Sequence, residues 1–313
     1  MGTTRTTALA SLAEHTTFDL AIIGAGATGC GLALDAAARG FSVVLLEATD
    51  FSQGTSSRAT KLVHGGVRYL AQGNVKLVRE ALRERATLLA NAPHLAQPLA
   101  FVMPAYKIWE APFYGVGLKM YDALAGSRGL GHTEFLSATR TRELLPTVRM
   151  GGLTGGVKYW DGQFDDARVT VALARTAQAK GAVVLNHCPV TALVREGGKV
   201  TGAIARDAIG GGELRIAAEC IVNATGVWVD TLRQQDAQAS GQSVQPIAAP
   251  SQGVHVVVDQ SFLPGEHALL VPSTADGRVL FAVPWLGKVI LGTTDTPRHD
   301  MPLEPQPFAH ELE

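Results

Sequence analysis

The sequence predicts an α/β fold: a parallel-sheet domain interleaved along the chain with an α+β domain built on an antiparallel sheet. Three observations predict it. Residues 18–47, FDLAIIGAGATGCGLALDAAARGFSVVLLE, carry strand, helix and strand signals in succession. A second helix-to-strand passage runs through residues 167–185, and an apolar strand returns at 221–223. Residues 250–259 and 277–296 then read as strands of a separate antiparallel sheet.

In the first element, residues 20–23 are a short branched apolar run of the kind that forms a buried parallel strand. Gly24, Gly26 and Gly29 follow in G-x-G-x-x-G spacing. An Ala-rich helix covers 32–38, Gly40 ends it, and a strand at 43–46 finishes on Glu47. Gly24 allows a sharp turn off the strand, Gly26 a close approach of backbone to a pyrophosphate, and Gly29 tight helix–strand packing. Ala25 and Thr28 share the turn, whose unpaired helix N–H groups face the phosphates. Glu47 stands at the end of the second strand, the place where an acid accepts from the adenosine ribose hydroxyls and disfavours a 2′-phosphate. In this register the motif is a dinucleotide site, the alternative being glycines that serve tight turns alone. It does not choose between NAD and FAD.

Residues 50–70, DFSQGTSSRATKLVHGGVRYL, are dense in Ser, Thr and Gly. Thr55, Ser56, Ser57 and Thr60 offer hydroxyls to cap a helix and line a phosphate or flavin edge. His64-Gly65-Gly66 lets backbone approach a flat ring. A turn-rich surface loop is the competing reading. Residues 75–90 predict an amphipathic helix whose Arg79, Arg83 and Arg85 alternate with Glu80 and Glu84 on a solvated face. Residues 99–121 hold six aromatics, with two prolines and three charges that exclude a simple membrane span. Two readings stand for it: a segment dipping into a membrane interface with Trp109 at headgroup level, or an aromatic cap over a pocket.

Ser137 or Thr139 caps a helix at 137–146, and Asp165 or Asp166 caps the helix over 167–180, ended by Gly181. Arg168 reads as paired with those carboxylates, the alternative being a ligand contact. Short strands at 190–194, 200–205 and 214–216 form a meander. CIVNATGVWVD, residues 220–230, is a buried strand that ends in Ala224-Thr225-Gly226, where the chain can pass close to a dinucleotide. An ATG element after a meander resembles the second fingerprint of two-motif FAD enzymes of the D-amino-acid-oxidase/glutathione-reductase type, which implies FAD as the cofactor and a Rossmann-like first domain. Trp228 either covers the flavin or sits in the core. In PSQGVHVVVD, residues 250–259, His255 points away from the face of Val254 and Val256.

Composition narrows the classes further. The 313 residues are 46% hydrophobic and 18% charged with a net charge of −1, which suits a globular protein with a sizeable core and leaves no electrostatic footprint for nucleic acid. Cys30, Cys188 and Cys220 form no C-x-x-C pair, so they read as small buried residues of a reducing compartment, and no metal site is expected. The segment 1–16 lacks an apolar h-region and reads as a disordered N-terminus. The expected division is 17–90 plus 151–236 for the FAD domain and 91–150 plus 237–313 for the substrate or cap domain.

GAGATGCGLALDAAARG…VVLLE followed by GTSSRATKLVHGGVRYL resembles the FAD-dependent glycerol-3-phosphate dehydrogenases, in particular the branch with the mitochondrial enzymes. YWDGQFDDAR strengthens the resemblance, which runs from about residue 18 to the end. It implies oxidation of sn-glycerol 3-phosphate to dihydroxyacetone phosphate, with electrons passed to a quinone. An oxidase using O₂, an amino-acid oxidase and a non-catalytic FAD-binding remnant are the alternatives. By the same resemblance Ser56, Ser57, Lys61, His64, Gly65 and Gly66 line the flavin, and the Val190 backbone lies beside the adenine. Arg68 and Tyr69 face the substrate phosphate and glycerol, His255 faces the substrate as the candidate base, and Thr294 shapes the pocket floor. Peripheral membrane association follows, at the cytoplasmic face of a bacterial inner membrane or in the cytoplasm, or at the mitochondrial inner membrane in a eukaryote. A homodimer is among the quaternary options.

Members of that family continue into a segment with two further substrate-binding arginines and a Gly-Asp element beside the flavin. The resemblance therefore implies a chain truncated at its C-terminus. Loss of two guanidiniums would weaken phosphate binding by about 3–6 kcal/mol, leaving this fragment weak or inactive alone.

Overall fold

The computed structural model describes residues 4–70, 72–274 and 277–312. The chain divides into two compact units: residues 1–59, 166–250 and 298–305 form the first, and 60–165, 251–297 and 306–313 the second. The expected crossovers near residues 90 and 150 thus move to 59 and 165. The reason is the long strand Gly155–Phe164, whose ladder partners Ala96–Ala105, Leu62–Val63 and Glu134–Ser137 all belong to the second unit.

The first unit is built on a six-stranded sheet in the order Val183–Leu185, Val43–Leu46, Phe18–Ile23, Glu213–Asn223, Lys199–Arg206, Val190–Glu196. The first four strands run parallel; Val183–Leu185 and Val43–Leu46 are buried on both faces, which explains their unbroken apolar runs. On one face Ile22, Leu45 and Val184 pack with Cys30, Ala33, Ala36 and Ala37 of the helix Ala27–Ala38 and with Ala174 and Ala177 of the helix Asp166–Ala179. The small side chains of both helices are what allow this close packing. On the other face Ala21, Val44, Leu46, Val183 and Leu185 meet Ala8 and Leu12.

Those two residues belong to a helix, Arg5–Glu14, where disorder was expected. Thr4 caps it by accepting from the Thr7 N–H, and the Arg5 guanidinium pairs with Asp207. A 10-residue helix is marginal alone, so this one owes its order to the sheet beneath it. The meander also differs from expectation. The pieces foreseen at 214–216 and 221–223 are one strand, Glu213–Asn223, antiparallel to Lys199–Arg206 in its first half and parallel to Phe18–Ile23 in its second.

The second unit carries an eight-stranded sheet. Val256–Asp259, Lys288–Gly292, Leu280–Trp285, Ala268–Val271, Ala96–Ala105, Gly155–Phe164 and Leu62–Val63 lie in that order, and Glu134–Ser137 pairs with Gly155–Phe164. It is antiparallel except where Ala268–Val271 runs parallel to Ala96–Ala105. The helices Val75–Asn91 and Glu110–Ala125 meet through Val78, Leu82, Tyr121 and Ala125. The aromatic segment 99–121 resolves into a buried strand and this second helix. The outward side of the helix shows Phe113, Val116 and Met120 at 67%, 60% and 53% exposure. No helix among the described residues is long and apolar enough to cross a membrane.

Candidate cofactor and substrate site

In the first unit the two fingerprints, 24–29 and 224–226, come together although they lie far apart in the chain. The Ala224 N–H donates to the Ile23 carbonyl at 2.8 Å, so the chain leaving the strand Glu213–Asn223 runs against the glycine-rich turn. Gly24 has a φ of +101°, and a Cβ there would sit 2.6 Å from the Ala224 carbonyl oxygen. A Cβ on Gly29 would sit 1.8 Å from the Gly24 oxygen. Both positions admit only glycine for reasons internal to the chain.

Gly26 is different. Its backbone is extended, and a Cβ would meet only the Ser56 hydroxyl, at 3.0 Å. Packing within the chain therefore gives little reason for a glycine, whereas close approach of a pyrophosphate gives a direct one. The helix Ala27–Ala38 starts at Gly26 with no side-chain cap from that residue, and Thr28 is exposed in its first turn. Its first N–H groups have no intrahelical acceptor; Ala27 donates to the Ser56 Oγ at 2.8 Å. Ser56 lies in the 3₁₀ turn Thr55–Ser57. This donor set fits the pyrophosphate of a dinucleotide.

Glu47 closes the other side of the turn. Its Oε2 accepts from the Ala25 N–H at 2.7 Å, and its Oε1 from the Thr49 N–H and Oγ1 at 2.9 and 3.1 Å. Three donors from the chain leave one of about four lone-pair positions for a ribose hydroxyl. The Cys188 N–H donates to the Glu47 carbonyl, so the segment entering Val190 runs beside the acid. Thr225 Oγ1 donates to Asn223 Oδ1 at 2.7 Å, and Gly226 opens a 3₁₀ turn to Trp228. The Trp228 ring lies against Gly54 and its Nε1 donates to the Met301 carbonyl. Burial and the Glu47 charge push the Cys30 thiol up to about 12, so it is an inert packing group.

The second unit holds Lys61, His64, Gly65, Gly66, Tyr69, His255 and Thr294; the Arg68 side chain lies outside the described residues. Lys61 adopts a φ of +62°, uncommon for a side-chain-bearing residue, immediately before the strand Leu62–Val63. The Gly66 N–H donates to His64 Nδ1 at 3.1 Å, and the Tyr69 ring lies against Gly66. His255 is half-buried outside the regular strand, its Nε2 2.9 Å from Thr60 Oγ1, with Gly292 beneath the ring. Thr294 Oγ1 accepts from the Val254 N–H at 2.9 Å, which binds the 293–294 turn to the residue before His255.

Two groups escape the sequence reading. Arg85, expected in solvent, is 1% exposed, and its Nη1 donates to Asp161 Oδ1 at 2.8 Å. Asp161 Oδ1 also accepts from the Gly65 and Gly162 N–H groups at 3.3 and 3.1 Å, and Oδ2 from the Tyr121 hydroxyl at 2.9 Å. The acid thus holds the Gly65 backbone from behind. An aspartate inside the apolar strand pattern of YWDGQ was the available signal. The second is Glu311, whose carboxylate accepts from Thr294 Oγ1, Thr296 Oγ1, Gln252 Nε2 and the Phe308 N–H.

Comparison with known proteins agrees with this geometry. A family model described as FAD dependent oxidoreductase matches residues 19–313. The chain is 45% identical over 318 residues to the probable mitochondrial glycerol-3-phosphate dehydrogenase of Caenorhabditis elegans, covering 99% of this chain and 44% of that protein. It is 45% identical over 313 residues to the mitochondrial glycerol-3-phosphate dehydrogenase of Mus musculus, covering 95% and 42% respectively. It therefore spans less than half the length of these curated relatives. Among solved structures, the glycerol-3-phosphate dehydrogenase of Bacillus halodurans complexed with FAD matches with a TM-score of 0.76 at 34% identity, covering 99% of this chain and 53% of that one. The chain belongs to the family of FAD-dependent oxidoreductases.

Proposed function

We propose that this chain is the FAD-binding and substrate-facing part of a glycerol-3-phosphate dehydrogenase that oxidises sn-glycerol 3-phosphate to dihydroxyacetone phosphate. The observation that carries the reading is the meeting of the Gly24–Gly29 turn with Ala224, supported by the names and identities of the C. elegans, mouse and B. halodurans proteins. Bound FAD supplies the two-electron acceptor for the reaction.

The chain's own residues take the remaining tasks. The first turn of the helix Ala27–Ala38, with Gly26 and Ser56, holds the pyrophosphate, and Glu47 holds the ribose. Lys61, Ser57 and the His64-Gly65-Gly66 turn line the flavin. Oxidation of a secondary alcohol removes a hydride from C2 and a proton from its hydroxyl; His255 takes that proton at Nε2, near which Thr60 Oγ1 already lies at 2.9 Å. Arg68 and Tyr69 anchor the phosphate and glycerol, Arg68 by charge-assisted hydrogen bonds, and Thr294 shapes the floor.

Electrons pass to a membrane quinone, and the enzyme is a peripheral membrane protein. The outward side of the helix Glu110–Ala125 supports this. Pro112, Phe113, Val116, Met120 and Ala123 share it with a single charge, Lys119, while Lys107 lies over the Trp109 ring at its N-terminal end. Ordinary solvent-facing helices carry several charges on that side. The test is anaerobic addition of glycerol 3-phosphate to the FAD-loaded protein. Bleaching of the visible flavin band, reversed faster by a quinone analogue than by O₂, is the expected result. A spectrum unchanged by the substrate refutes the proposal.

A further inference from the structure

Glu311 sits where three segments of the second unit meet. Its Oε2 accepts from the Phe308 N–H at 2.8 Å and from Gln252 Nε2 at 2.8 Å. That oxygen by itself accounts for the cap on the short turn Ala309–Glu311. The other oxygen has no part in capping. Oε1 accepts from Thr294 Oγ1 at 3.0 Å and Thr296 Oγ1 at 2.7 Å.

A threonine hydroxyl has one proton. Thr294 spends it on Glu311, so the oxygen presents its lone pairs in a fixed direction, and the Val254 N–H donates to it at 2.9 Å. The residue after Val254 is His255. Gln252 is held twice over: its backbone pairs with Thr296 in the two-stranded sheet Ser251–Gln252/Thr296–Pro297, and its Nε2 donates to Glu311 and to the Gln306 carbonyl. Both arms that bear substrate-facing residues, 251–255 and 292–297, therefore close on one carboxylate. Burial pushes that carboxylate upward, but hydrogen bonds from the Phe308 N–H, Thr296, Gln252 and Thr294 outweigh it and bring it down to about 2. It is ionised throughout the working range, and all its acceptor positions are in use.

We infer that Glu311 is a positioning residue: through Thr294 and Val254 it fixes His255 relative to the pocket floor. The inference rests on the proposed roles of His255 and Thr294. A purely structural cap would need only the Phe308 N–H and would engage neither Gln252 nor Thr294.

The test compares the full protein with its E311Q and T296V variants, each loaded with FAD. The glutamine keeps the shape but turns an NH₂ group toward donors that need an acceptor. T296V removes one hydroxyl from the same carboxylate without touching Thr294 or Val254. Hydrogen exchange of the peptide spanning 252–258 is read first. Protection there falls at least about tenfold in E311Q, stays in T296V, and is unchanged in both for the strand Leu280–Trp285. Second, kcat/KM for glycerol 3-phosphate falls about 10- to 10²-fold in E311Q, with the pH limb of the base displaced, while T296V keeps the wild-type profile. Unchanged exchange in E311Q overturns the inference, as does lost protection with a wild-type pH profile or an equal loss of kcat/KM in T296V. If the wild-type flavin is not bleached by glycerol 3-phosphate, the functional reading fails, while the exchange measurement still decides the role of Glu311.

Discussion

Replacing Asp161 by asparagine tests how the second unit is held together behind the His64-Gly65-Gly66 turn. Arg85 and Asp161 are 1% and 3% exposed, and their N···O distance is 2.8 Å. Asparagine keeps an acceptor for the Gly65 and Gly162 N–H groups but cancels the negative charge. Arg85 is then left without its counter-charge beside Tyr121, whose phenol burial pushes up and keeps protonated, and retains a 3.5 Å contact to the Arg128 carbonyl. Breaking a buried pair from one side costs about 3–5 kcal/mol. For a protein of this size that corresponds to a fall of about 5–8 °C in Tm. The double variant R85M/D161N removes both charges and still lets the asparagine accept from Gly65 and Gly162 and donate to Tyr121, so it recovers most of the loss. Urea unfolding of the wild type, both singles and the double gives the coupling energy directly. A D161N variant within about 1 kcal/mol of wild type, or a double no more stable than D161N, would refute the view that the ion pair rather than the hydrogen-bonded turn carries the cost.

Further outcomes follow from the same geometry. G29A forces a Cβ to 1.8 Å from the Gly24 oxygen and yields little folded protein, whereas G26A, with Ser56 Oγ alone nearby at 3.0 Å, folds but loses at least about tenfold in FAD affinity by fluorescence titration. Because the Glu311 carboxyl lies at about 2 against an ordinary 4.5, its stabilising contribution is complete above 4.5 and is lost as pH falls toward 2. The Tm difference between wild type and E311Q therefore shrinks between about pH 7 and about pH 3, and a difference that grows on acidification contradicts the assignment. F113D/M120D, on the outward side of the helix Glu110–Ala125, abolishes co-sedimentation with phosphatidylglycerol vesicles and leaves flavin absorbance unchanged. Undiminished sedimentation places the bilayer contact elsewhere.

What the sequence disclosed was local or strongly periodic. The β-α-β unit at 18–47 is readable because glycine spacing, an Ala-rich helix and a terminal acid all lie within that one short segment. ATG at 224–226 is readable because an apolar strand leads directly into it. Glu213–Asn223 read as two strands because Ala217, Ala218 and Glu219 interrupt the branched apolar pattern where its partner changes from Lys199–Arg206 to Phe18–Ile23. Arg5–Glu14 read as disordered because its apolar positions are mostly alanine, and the sheet that orders it is distant in sequence. Arg85 has the same cause at a larger cost. Its charge pattern is that of a solvated helix face, and the partner that buries it, Asp161, is 76 residues away. Glu311 lies 17 and 59 residues from Thr294 and Gln252, so no short window of the chain contains the site it organises.

The most direct test is the spectrum of the FAD-loaded protein before and after anaerobic glycerol 3-phosphate. The account predicts a visible flavin band that the substrate bleaches and that G26A does not develop at the same FAD concentration. A folded wild-type protein that stays colourless with added FAD, or a bound flavin indifferent to glycerol 3-phosphate, contradicts it.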